Sequence, residues 1–321
     1  MEHKFIVSSS PHIHRKETVS SIMLDVIIAL FPAVAFGIFY FGIRAALVLA
    51  TAIISSVLAE CIYQKLMKKP QTIGDFSAAV TGLLLGLNMP PAIPLWMVCV
   101  GSVFAIVLVK QLYGGIGKNF LNPALAARCF MIAAWAGAMT LYSEPLLGPD
   151  AISQATPLAI LSGASEGVLP TVKAAFFGNI PGCIGETSAL ALILGGLYLL
   201  IKRVISWRIP VVYLGTFALM SALFVNNGFD ISLLTYVSLE LFCGGIMLGA
   251  IFMATDYTTT PTTKSGQIIF AVGCGLLTFV IRRFGGYPEG TSFAILLMNL
   301  LTPLIDRYTI PKSFGEVRKN D

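Results

Sequence analysis

The sequence predicts an all-α integral membrane protein of about ten transmembrane helices, arranged as two inverted five-helix repeats with broken third and eighth helices. Three observations lead there. Charged residues are only 12% of the 321 positions and hydrophobic residues 56%, with a mean hydropathy of +0.83, whereas a soluble domain carries about 25% charged residues. Apolar runs recur along the whole chain, separated by short polar breaks. Finally, stretches at both ends of the first half recur in the second at nearly constant offsets.

The first 18 residues are polar and carry Lys4, Arg15 and Lys16. The apolar run after them is long enough to span, so no cleavable signal peptide is expected. His3, His12 and His14 read as a solvated arm, and no metal site is expected. The first span is expected at about 22–42 and the second at about 45–63. Only Arg44 lies between them, while Lys65, Lys68 and Lys69 follow. By the positive-inside rule the N-terminus and the K-L-M-K-K-P loop are cytoplasmic.

The third run, about 78–89, is short and ends in N-M-P-P-A-I-P. Proline and glycine at that depth predict a broken or re-entrant helix, tolerated only where protein or a cavity covers the open backbone. The fourth span, about 95–112, precedes G-G-I-G-K-N-F-L-N-P, and the fifth, about 123–139, carries Arg128 near its start. The long segment 140–186 is then outside, with Glu144, Asp150, Glu166 and Glu186 outnumbering Lys173.

The sixth span, about 187–201, ends in Lys202, Arg203 and Arg208 on the cytoplasmic side. The seventh is expected at about 209–225 and the eighth at about 239–254, followed by the break D-Y-T-T-T-P-T-T-K. The ninth, about 267–281, and the tenth, about 291–305, bring a tail with Arg307, Lys312, Arg318 and Lys319 back inside. Arg282 and Arg283 then lie outside, as one exception to the rule.

K-E-T-V-S-S-I-M-L near Lys16 resembles G-E-T-S-A-L-A-L-I near Gly185, and K-Q-L-Y-G-G at Lys110 aligns with I-R-R-F-G-G at Ile281, at offsets of 169 and 171. Five segments per half is an odd number, so the halves point in opposite directions. The organisation is therefore a first repeat with its N-terminal arm (1–139), an extracytoplasmic loop (140–186), and a second repeat with its tail (187–321). The two breaks, near 88–94 and 257–263, are expected to face each other near the midplane.

Charges within apolar segments are candidates for function. Asp25, Glu60, Asp75 and Glu240 are open to that reading or to an interfacial, solvated one. Arg128 either pairs with an anionic ligand group or a carboxylate, or snorkels to the surface. Asp256 and Lys264 bracket a threonine-rich break, which lines a polar cavity or caps helices. The net charge of +5 gives no reason to expect nucleic acid. The six cysteines lack any C-x-x-C, and only Cys183 falls in the long loop, so no disulfide or iron–sulfur framework is expected there. Gly114, Gly115 and Gly117 sit between spans with no preceding strand, which excludes a dinucleotide fingerprint. The chain is an electron carrier or a transporter, with no catalytic residue of its own.

Within the long loop, D-A-I-S-Q-A-T-P-L at 150–158 resembles the flavin-attachment motif of the RnfD and NqrB family of membrane subunits, a pattern close to D-x-x-S/T-G-A-T. Asp150, Ser153, Ala155 and Thr156 match, and Gln154 stands where glycine is usual. The S-S-P-H-I-H string near the N-terminus and N-F-L-N-P at 119–123 extend the resemblance over essentially the whole chain. It is nearest to the D subunit of Rnf ion-translocating complexes. The resemblance implies FMN esterified to Thr156, with Ser153, Asp150, Asn119, Asn122 and Arg128 as further flavin-binding candidates, and it leaves open whether a second, non-covalent flavin binds. It implies electron transfer between ferredoxin and NAD coupled to Na+ or H+ movement, with iron–sulfur and flavin subunits and a flavin transferase as partners, in a bacterial inner membrane. Two alternatives remain at this level: an NqrB-like quinone-reducing subunit, and a urea- or ammonium-type channel on the same architecture.

Overall fold

The computed structural model describes residues 18–146, 155–225, 231–286 and 289–311, and these are all-helical, with no strand among them. Helix α1, Val19–Leu66, begins with a capping box in which Thr18 and Ser21 satisfy each other's backbone N–H groups. Its 48 residues are more than twice the roughly 20 a span needs. Gly42, at φ 65 and ψ −152, divides it into the two limbs the sequence predicts as separate spans. Only glycine takes that conformation without strain.

Helix α2, Ser77–Leu87, is almost wholly buried and packs along α1. Asp75 starts it by accepting from the Ser77 N–H at 2.8 Å and the Ser77 hydroxyl at 2.5 Å. It stops at Asn88 because Pro90 and Pro91 follow. At 11 residues it is about 16 Å long, half a bilayer. Helix α3, Leu95–Gln111, widens to π winding over Phe104–Gln111, and α4, Pro123–Ala134, lies against it. The fifth predicted span is interrupted: Trp135 leaves helical geometry (φ −138, ψ 56), and α5, Ala136–Met139, is a separate turn.

The long loop holds short pieces: α6, Pro157–Leu161, α7, Val172–Phe177, and a tight turn Ile184–Glu186. Helices α8, Ala189–Ile201, and α9, Arg208–Leu223, follow. Next come α10, Leu233–Phe242, and α11, Ile246–Met253. Here the expectation needs correction. The eighth element begins six residues earlier than its apolar run indicates, because Ser232 caps it through the Thr235 N–H. It also breaks in its middle, where Gly244 (φ 76) bends α10 against α11 by 65°. The break expected at 257–263 exists as well, before α12, Lys264–Phe284, and α13, Thr291–Thr309.

Close crossings rest on small residues, as membrane helix packing requires. A Cβ at Gly82 would overlap the Ala52 carbonyl where α2 meets α1, and one at Gly195 would overlap the Ala29 carbonyl where α8 meets α1. Among the described residues, α1 and α12 are long and apolar enough to cross a membrane, and the α10–α11 pair passes as one bent span. Helices α2, α3, α4, α8 and α9 are apolar but have only 10–17 residues each. The chain is thus a helical membrane protein in which prolines and glycines shorten many of the segments.

Candidate functional site

A buried polar cluster is built on α4. Asn122 caps this helix by accepting from the Ala124 and Leu125 N–H groups, and Pro123 occupies its first turn. That start fixes Arg128, 3% exposed, against the end of α2. Its Nη1 donates to Asn88 Oδ1 at 2.6 Å. Its Nη2 donates to Glu186 Oε1 at 3.0 Å, to Cys183 Sγ at 3.5 Å, and to Glu289 Oε2. Of the two readings of Arg128, pairing with carboxylates is the one found. Cys183, Glu186 and Glu289 bring one thiol and two carboxylates within 4.8 Å of one another, but the guanidinium occupies the place a metal cation would take. Burial pushes the Glu186 carboxyl up, Glu289 pushes it further, and Arg128 opposes both. Burial also raises the Cys183 thiol and the Tyr142 hydroxyl well above their ordinary values.

Two more buried pairs lie away from this centre. Lys110 bonds Glu60 at 3.0 and 3.1 Å and Ser77 Oγ at 2.6 Å, while Gln111, Gln64 and Thr72 also donate to Glu60. Glu60 is fully buried, so the interfacial reading does not hold for it. It does fit Asp25, which accepts from Tyr198 and lies 3.8 Å from the half-exposed Lys202. The second pair is Arg282 with Glu240, at 3.3 Å, with Arg282 also donating to the Glu240 and Cys243 carbonyls and lying over the Phe217 ring. Arg282 is therefore an internal charge, and the positive-inside rule for loop cations does not count it.

A cavity of about 370 Å³ opens between α1, α2, α8 and the loop after α3, within the range of small-molecule sites. Its wall is apolar along α1, with Ser77, Lys110, Asn119, Asn122, Asp256 and Thr258 supplying polar groups. Asp256 is engaged by the Thr258 and Thr259 hydroxyls, so both readings of the threonine-rich break, capping and cavity lining, apply. Asn122 also donates to the Met253 carbonyl, and Asn88 reaches Met253 Sδ at 3.5 Å. The first break thus touches the end of α11, while the second is held by α13 through Thr302 and Asp306. The two breaks are anchored on different elements. Backbone left open at 257–263 is satisfied by side chains of α13, which an apolar-run argument does not anticipate.

Thr156 lies apart from this cavity. Pro157 follows it and sets an extended backbone (φ −67, ψ 151), and Thr156 Oγ1 caps α6 by accepting from the Ala159 N–H at 3.2 Å. Among the described residues the hydroxyl donates to nothing. Its proton is therefore free for replacement by a phosphoryl group, and the oxygen keeps its acceptor role, so the residue fits an esterified FMN. Its 7% exposure sets one condition: the groups packed around it must part to admit the phosphoryl group. Asp150 and Ser153 lie outside the described residues. The crevice beside α6, lined by Ser162, Arg282 and Arg283 among others, measures about 30 Å³ and is far too small for a flavin ring.

The Thr156 turn and the Arg128 cluster nevertheless meet one element from opposite sides. At the α10–α11 break, a Cβ on Gly244 would overlap Leu158 of α6 and approach Arg282 Nη2. A Cβ on the next residue, Gly245, would lie 2.8 Å from Glu186 Oε1 and 3.1 Å from Arg128 Nη1. Sequence reading missed Glu289 and the paired glycines; the P-E-G run before α13 and the G-G inside an apolar stretch were the available signals.

A family model described as the NQR2, RnfD, RnfE family matches residues 6–315. The chain is 51% identical over 312 residues to the D subunit of the Na(+)-translocating ferredoxin:NAD(+) oxidoreductase complex of Acetobacterium woodii, covering 96% of this chain and 95% of that one. It is 47% identical over 324 residues to the D subunit of the proton-translocating ferredoxin:NAD(+) oxidoreductase complex of Clostridium ljungdahlii, covering 98% and 97%. The D subunit of the ion-translocating oxidoreductase complex of Escherichia coli is 36% identical over 349 residues, covering 97% and 98%.

Proposed function

The chain belongs to the NQR2, RnfD, RnfE family, and from that premise we propose that it is the D-type membrane subunit of an ion-translocating ferredoxin:NAD oxidoreductase complex. The observation that carries this is similarity along nearly the full length of both chains to subunits of that name. The protein works with iron–sulfur and flavin-bearing partners and is not catalytic alone. Relatives of comparable identity are named for Na+ and for protons, so the coupling cation is one of these two.

FMN on Thr156 supplies the redox chemistry when attached, and the protein supplies position and electrostatics. The chain's own contribution is a capped turn backed by Leu158 against Gly244, which fixes the attachment point at the edge of the helical core. Attached at this edge, the flavin would be within reach of a transferase and of a partner subunit. The 370 Å³ cavity, with Asn119 and Thr258 in its polar lining, would be the place for a second, non-covalent flavin. Both termini are cytoplasmic and 140–186 is extracytoplasmic. The ten segments form two inverted repeats, a reading supported by the buried cations Lys110 and Arg282 at the corresponding ends of the fourth and ninth spans.

Thr156→Ala is expected to abolish flavin fluorescence of the denatured protein while leaving it membrane-inserted, and Thr156→Ser to retain part of it. Fluorescence surviving in the alanine variant would place the attachment elsewhere.

A further inference from the structure

We propose that Glu186 and Glu289 together form a one-proton site, in which a single exchangeable proton is held opposite Arg128 behind the Gly244–Gly245 break. Its place in ion translocation rests on the functional reading above; the proton site itself does not. Three features carry it. The first is charge: two carboxylates share one guanidinium, with side chains 1%, 12% and 3% exposed for Glu186, Glu289 and Arg128. With both acids ionised the cluster carries one net negative charge in a dry place, which is costly without a further cation. One proton brings the sum to zero.

The second feature is an orphan donor. Arg128 Nε is fully buried and has no hydrogen-bond partner among the described residues. A guanidinium is a rigid planar fork, so this N–H lies in the plane of the groups that reach Glu186 and Glu289. It asks for an acceptor at the cluster, such as a water able to relay a proton to either carboxylate. The third feature is the surroundings. The other groups facing the pair are Asn88 from the end of α2, the Cys183 thiol and Tyr142 from the long loop, and Gly245 at the start of α11. Burial keeps Cys183 and Tyr142 protonated at neutral pH, so neither supplies a competing charge. The step is a simple protonation: a hydronium O–H breaks, a carboxyl O–H forms, and no electron moves.

The raised Glu186 pKa agrees with this geometry. Below it the pair holds its proton beside Arg128; as the pH rises through it the proton leaves and the net negative charge returns. The test is infrared difference spectroscopy of the complex in lipid vesicles. A protonated carboxyl C=O band, shifted in D2O, is expected at neutral pH and is lost on alkalinisation. Removing either acid leaves a one-to-one pair with Arg128 that has no need of the proton. Glu186→Gln and Glu289→Gln should therefore each abolish the band. A band that persists in either variant, or one displaced by sodium and indifferent to pH, would overturn the proposal. The band should also appear in Thr156→Ala, so a misplaced flavin and a failed proton site give different results.

Discussion

Lys110 reaches Glu60 across 50 residues of sequence, and both are almost completely buried. Such a pair contributes little over an apolar replacement, but removing one partner leaves a charge stranded and costs about 3–5 kcal/mol. Lys110→Met is expected to lower unfolding stability in detergent by that order. Adding Glu60→Gln should restore most of the loss in a double-mutant cycle. At this scale the sequence is informative wherever the partner is local. The Asn122–Pro123 start of α4 and the Thr156–Pro157 start of α6 are readable as caps because donor and acceptor lie within three residues. The partners of Arg128 are not readable, because Asn88, Glu186 and Glu289 lie 40, 58 and 161 residues away.

Helical elements are legible where apolar runs end in proline, as α2 does before Pro90. They are not legible where two glycines interrupt a run that remains apolar, as between α10 and α11. The two glycine breaks predict different outcomes. At Gly42 (φ 65, ψ −152) a Cβ meets nothing within 4 Å, so Gly42→Ala costs backbone strain alone, about 1–3 kcal/mol. At Gly244 the same substitution adds overlap with Leu158, so it should be the more destabilising of the two. Thermal unfolding of both variants in one detergent checks the ranking; equal shifts would show that α6 yields freely.

For the molecule as a whole, orientation follows from exposed cations. On the proposed topology Lys65, Lys68, Lys69, Lys202 and Arg203 share the cytoplasmic side with the partly exposed Arg208, and Arg282 drops out of the count because it is internal. Val168 is 93% exposed in the long loop. With the partly exposed Cys61, Cys99 and Cys129 replaced, Val168→Cys should react with an impermeant reagent in intact cells, and Lys69→Cys only after lysis. The opposite pattern would invert the topology.

The long separation between Arg128 and its acids also has a consequence for biogenesis. When α4 leaves the ribosome, Arg128 has Asn88 but no carboxylate, and Glu186 is made 58 residues later. An arginine at a helix centre opposes translocon insertion by about 2.5–3.5 kcal/mol, and α4 has only 12 residues with which to offset it. Nascent chains stalled just after α5 should therefore leave α4 poorly integrated, while chains extended through α8 integrate it. Protease protection of the two stalled lengths measures this, and Arg128→Leu should remove the difference. Membrane entry of the fifth segment would then be decided by a residue of the loop that follows it.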